Sequence, residues 1–142
     1  MKLLQTLYII GAILNIAGSF LPWGCEGDII WHCTAGITNK CIGPDLCIED
    51  NGGILVMVLS LAIAGLILWK PNFIKIPAIW TIVCAIILVA ASIYHIGTWI
   101  FRRVQLPGVI GAPTPAIGLW IVLLGSVILL STALRHYQIS RA

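Results

Sequence analysis

With 142 residues, 60% of them hydrophobic and only 9% charged, the chain is far from a soluble composition, in which about a quarter of residues carry charge. Its formal charge is +3, yet the sequence holds no basic patch suited to nucleic acid, no phosphate-cradling glycine loop, no zinc-protease motif and no serine elbow. Four apolar runs use up most of the length, so residues 1–142 read as a single membrane domain.

A helix needs about 20 apolar residues to cross roughly 30 Å of hydrocarbon. The runs at 3–21, 53–69, 76–100 and 117–134 meet or approach that length, and none contains Asp, Glu, Lys or Arg. A charge at the bilayer centre costs about 2.5 kcal/mol or more, so lipid-facing helices are expected to lack them. The expected fold class is an all-α integral membrane protein: a four-transmembrane-helix bundle with a disulfide-stapled extracytoplasmic loop.

Lys2, the apolar run after it and Ala17-Gly18-Ser19 follow the order of a signal peptide, but the segment reads as a true first span. Pro22 and Trp23 make Gly24-Cys25 a poor lipoprotein box. Asn15 is expected to hydrogen-bond across helices, with Ser19 one turn later in support. The span ends at Leu21-Pro22-Trp23, where proline stops the helix and tryptophan anchors it.

The cap loop, 22–52, holds Cys25, Cys33, Cys41 and Cys47. An even cysteine count in a short exported segment implies two disulfides, with three possible connectivities. A zinc knuckle and a redox pair both favour C-x-x-C, which is missing here. The loop also carries every acid of the chain, Glu26, Asp28, Asp45, Glu49 and Asp50, against Lys40, for a local charge of −4. Arg102 and Arg103 in the second outer loop, 101–116, are expected to pair with these acids and tie the two loops together. The acidic cluster lacks EF-hand spacing, and no metal site is expected.

Asn51-Gly52-Gly53 breaks the chain before the second span, and Lys70–Lys75 forms a tight basic turn into the third. Pro77 stands in the first turn of that span, a tolerated position, and Cys84 within it reads as a small buried hydrophobe. Pro107, Gly108, Gly111, Pro113 and Pro115 keep the second outer loop extended. Helix packing in lipid needs small residues where backbones approach. Gly11 and Gly18, Ser60 and Ala64, and Gly118 and Gly125 are the expected packing positions, the two glycine pairs at the seven-residue spacing of a left-handed seam.

With four spans, one side carries Lys2, Lys70, Lys75, Arg135 and Arg141 and no acid. The positive-inside rule places both termini in the cytoplasm of a cell-membrane, multi-pass protein. Aromatic belts are expected at Tyr8, Trp69, Phe73, Trp80 and Tyr137 on the inner boundary, and at Phe20, Trp23, Trp99, Phe101 and Trp120 on the outer one. Arg135-His136-Tyr137 reads as a snorkelling anchor.

His95 is the sharpest candidate for chemistry. Ala91–Trp99, with a small residue one turn before the histidine and tryptophan one turn after, resembles the pigment helix of light-harvesting polypeptides. That resemblance implies a chlorin-type pigment with His95 as axial ligand; the plain alternative is a histidine bonding a neighbouring backbone group or water. Trp31-His32-Cys33 followed by Cys41 resembles the first outer loop of claudins, which implies four helices, cytoplasmic termini and a disulfide cap. The Leu-Pro-Trp exit of the first span and Gly118-Leu119-Trp120 opening the fourth look like many small prokaryotic four-span membrane proteins, a likeness that brings no activity with it. Four spans with two pairs of exported cysteines are also similar to quinone-coupled disulfide-generating oxidoreductases.

The expected function is non-catalytic: an accessory or scaffold subunit that packs against other integral membrane subunits or self-associates in membrane lipid. No cofactor and no nucleic acid are expected. Two alternatives stand: a pigment- or quinone-associated subunit of a photosynthetic or electron-transfer complex using His95, and a thiol–disulfide oxidoreductase using the cap cysteines.

Overall fold

The computed structural model describes residues 2–26, 32–35, 40–41, 47–48, 52–69, 78–105 and 114–141. In chain order these form α1 (Lys2–Phe20), β1 (Pro22–Glu26), β2 (His32–Ala35), β3 (Lys40–Cys41), β4 (Cys47–Ile48), α2 (Gly52–Trp69), α3 (Ala78–Gln105), β5 (Thr114–Pro115) and α4 (Ile117–Arg141). Lys2–Phe20, Ile79–Phe101 and Ile117–Arg141 are long and apolar enough to cross a membrane, while Gly52–Leu68 is a shorter apolar stretch.

Two helices outrun the sequence reading. The third span, expected to end at residue 100, continues as helix to Gln105, so Phe101–Gln105 does not belong to the outer loop. Arg and Gln are adequate helix formers, and nothing in Phe101–Gln105 breaks a helix, since the next proline in the sequence is Pro107. The fourth, expected to end at 134, runs on to Arg141 through a stretch without Gly or Pro. Its last turn is reinforced by the Arg141 guanidinium over the Tyr137 ring, 4.6 Å from the centroid.

α4 packs along both α1 and α3, and α2 lies against α1 with a lighter contact to α3. The α1–α4 crossing is the closest. A Cβ on Gly11 would stand 2.8 Å from Leu129 Cγ and 3.0 Å from the Gly125 carbonyl, and one on Gly18 would stand 3.0 Å from the Gly118 carbonyl. On α4, a Cβ at Gly125 would strike Asn15 Oδ1, and one at Gly118 would meet the carbonyls of Pro22, Leu21 and Gly18. Two glycine pairs, Gly11 with Gly125 and Gly18 with Gly118, thus face each other one heptad apart and let the backbones touch. Ser60 is buried on α2, Ala64 is half-buried, and Gly65 beside it faces open space.

At one end of the helices β1 pairs antiparallel with β2 and with β5, giving a three-stranded sheet in the order β2-β1-β5, and β3 pairs antiparallel with β4. The register shifts between Pro22 and Gly24, a bulge that suits a proline with no N–H to give the ladder. Ala116 N donates to Trp23 O at 2.9 Å, so the chain leaving α1 and the chain entering α4 are joined by backbone bonds.

The aromatic belts need correction. Phe20, Trp80, Phe101 and Trp120 are exposed as expected of interfacial rings, but Tyr8, Trp23 and Trp99 are buried in the core. Each lies on an inward stripe of its element, and there the area a ring buries outweighs its preference for the interface. Trp69 and Tyr137 are on α2 and α4, with Tyr137 half-buried, and Phe73 lies outside the described residues.

Candidate functional site

Trp23 is the centre of the sheet end. Just past α1, it is 1% exposed, and its indole Nε1 donates to the Gly18 carbonyl at 2.9 Å. That carbonyl also accepts from Leu21 N at 3.2 Å, so a helix-end acceptor is satisfied within an apolar surround. The His95 ring packs on Trp23 with centroids 5.2 Å apart and planes at 60°, and Tyr94 approaches edge-on at 5.4 Å. One turn on, the buried Trp99 ring lies directly over Gly24, where any Cβ would collide with it. A tryptophan from β1, a tryptophan from α3 and a half-buried histidine therefore interlock the cap strand with the bundle.

The opposite end carries a polar cluster. Tyr8 Oη donates to Thr81 Oγ1 at 3.3 Å and lies 3.5 Å from His136 Nδ1, joining α1, α3 and α4. All three side chains are buried, and the Tyr8 and His136 rings meet edge-to-face with centroids 6.2 Å apart. His136 is thus no snorkelling anchor: the longer α4 turns it inward.

Between the ends, buried polar groups are spent on packing. Asn15 Oδ1 faces Ser126 Oγ across the α1–α4 seam at 3.4 Å, while that hydroxyl donates to its own helix at Val122 O, 2.7 Å away. Ser19 donates to the Asn15 carbonyl and Ser92 to the Leu88 carbonyl, each at 2.8 Å, the local solution for hydroxyls away from water. Asn15 Nδ2 and Ser60 Oγ are buried without a hydrogen-bond partner among the described residues.

The sequence-derived candidates separate as follows. His95 belongs to the Trp23–Trp99 junction. Cys25, Cys33, Cys41 and Cys47 lie on β1 to β4, where their backbone positions alone are described. Asp28, Asp45, Glu49 and Asp50 lie outside the described residues; so do the side chains of Glu26 and Arg102, while Arg103 is exposed. The ion-pair tie expected between the outer loops therefore falls outside the described residues, and within them the loops are joined by the β1–β5 ladder instead. Cys84 carries a free, half-buried thiol in α3. Among the described residues, no three His, Cys, Asp or Glu side chains converge.

Sequence reasoning passed over the Tyr8–Thr81–His136 cluster, although a signal was present. The Gly11/Gly18 stripe continued by alternating steps of three and four reaches Asn15, Tyr8 and Leu4, all buried. The Gly118/Gly125 stripe continued the same way passes Leu129 and Thr132 to His136. Comparison with known protein families, with curated proteins and with solved structures finds no match to this chain.

Proposed function

We propose that this chain is a four-span integral membrane protein with cytoplasmic termini, acting as a non-catalytic accessory or scaffold subunit. The observation that carries the reading is an inverted distribution of polarity. The helices turn Ile13, Leu61, Val83, Ile93, Leu124 and Val127 outward, while Asn15, Ser60, Thr81, Ser92, Ser126 and His136 are inside. A water-soluble bundle of this size would expose the second set and bury the first. With lipid as solvent, apolar burial no longer drives helix association, and close packing with interhelical polar contacts takes over. The glycine seam supplies that packing.

α2 is the fourth span in this reading. At 18 residues it rises about 27 Å, close to the hydrocarbon thickness. It leans mainly on α1. Val58, Leu61 and Leu66 point outward around Gly65, which no side chain fills, and this is the face offered to a second membrane helix. Acceptance of a neighbouring helix beside an unfilled glycine is how small residues act in lipid.

The test is photo-crosslinking from position 61 in native membranes, combined with purification in lipid nanodiscs and an absorption spectrum of the same sample. The expected result is a protein adduct of discrete mass, a different subunit or a second copy of the chain, that co-purifies in fixed ratio. A chain that purifies alone and crosslinks to lipid only would overturn the subunit reading. A visible chromophore abolished by His95→Leu would replace it with the pigment-binding one.

A further inference from the structure

The four cap cysteines lie on strands whose register sets them opposite one another in pairs. Cys25 on β1 is the Cα partner of Cys33 on β2, and Cys41 on β3 is the Cα partner of Cys47 on β4. Directly opposed residues of an antiparallel pair sit about 4.5 or 5.5 Å apart at Cα, according to whether they exchange hydrogen bonds. Either separation falls in the window of roughly 4.4–6.8 Å that a disulfide spans. Of the three ways to pair four cysteines, one joins cross-strand partners in both cases. Each of the other two would run both bridges between the β2-β1-β5 sheet and the β3-β4 hairpin, which share no strand.

We propose that the cap carries two hairpin-local disulfides, Cys25–Cys33 and Cys41–Cys47. The assignment rests on the reading of the cap as an exported, oxidised segment. Each bridge forms by thiol–disulfide exchange with the disulfide of an exported oxidoreductase. One cap thiolate attacks a sulfur of the donor, releasing one donor thiol and forming a mixed disulfide. The second cap thiolate then attacks the cap sulfur of that bond and expels the other donor thiol. Two cap thiols are oxidised, one donor disulfide is reduced to two thiols, and the two protons pass from cap to donor.

The consequence is modular. Each bridge closes its own hairpin, and neither ties one helix to another. Cys25–Cys33 locks the sheet that is laddered to β5 and anchored by Trp23, while Cys41–Cys47 locks a hairpin that, among the described residues, belongs to no other sheet. Strands of two residues have little stability of their own, so the second hairpin depends on its bridge more than the first.

The sequence offers a direct test, because Lys40 is the only trypsin site between Cys25 and Cys47. The full-length protein, purified from membranes, is denatured with N-ethylmaleimide present to block free thiols, then digested without reduction. Trypsin does not cut Lys70-Pro71, so Cys25 and Cys33 fall in peptide 3–40 and Cys41 and Cys47 in peptide 41–75. The proposed pairing yields two separate peptides, each lighter by two hydrogens than its reduced form, while Cys84 is alkylated as the free-thiol reference. One species containing both peptides, released only by reduction, would show an oxidised cap with another connectivity and overturn the assignment. Alkylation of all four cap cysteines before reduction would overturn the assignment and the oxidised-cap reading together.

Discussion

The α1–α4 seam and the strand cap solve opposite problems within one short chain. In the seam, backbones touch at Gly11 with Gly125 and at Gly18 with Gly118, and close packing selects the register. In the cap, strands of two to five residues hold through backbone ladders. In hydrocarbon every backbone group is already satisfied within its helix, so close packing is what remains to choose a partner. A small water-facing segment lacks the core to stay folded, and closure by pairing or bridging replaces it. Trp23 is where the two meet: it leaves the end of α1, enters β1 and packs against α3.

The largest effect is therefore expected at Trp23. Trp23→Ala removes a fully buried ring and the indole bond to Gly18 O, and is expected to cost about 3–5 kcal/mol. Thermal unfolding in a mild detergent should show a large drop, with faster cleavage at Lys40. A melting temperature within a degree or two of wild type would mean that the cap and bundle are not joined there.

A smaller loss should follow from filling the seam. Gly118→Val meets three backbone carbonyls, which no side-chain rotation can relieve, and overpacking of this kind costs about 1–3 kcal/mol. Gly65→Ala points into open space and should be neutral or gain up to about 1 kcal/mol from helix propensity. Equal effects at the two positions would contradict the assignment of the seam to α1 and α4.

The mildest change lies at the far end. Tyr8→Phe keeps the ring and removes the hydroxyl that reaches Thr81 and His136, for a loss of about 0.5–1.5 kcal/mol. Thr81→Val in the same background should then add less than it does alone, because the two share one bond. Strict additivity would argue that the contact contributes nothing.

Much of the helical layout was legible because apolar runs without charge allow few alternatives. The boundaries that slipped did so for local reasons: Arg102 and Arg103 look like loop residues, yet the helix runs through them to Gln105. The burial of Tyr8, Trp23 and Trp99 was hidden because an aromatic ring near a membrane boundary is equally at home in a belt or in a core. Only the phase of the glycine heptads distinguishes the two for Tyr8, and it also reaches His136. The pairing of β1 with β5 was not legible at all, since it joins Gly24 to Pro115 across most of the chain through backbone groups that carry no side-chain signal.

The four-span arrangement with the cap outside is tested most directly at the turn between α2 and α3, because α2 is the shortest helix. Asn72→Cys and Ala112→Cys, each in a Cys84→Ser background, are treated in intact cells with a membrane-impermeant maleimide, and the labelled site is located by peptide sequencing. The expected result is labelling at position 112 from outside and at position 72 only after permeabilisation. Labelling of position 72 in intact cells would place that turn on the cap's side of the membrane, and α2 would not be a span.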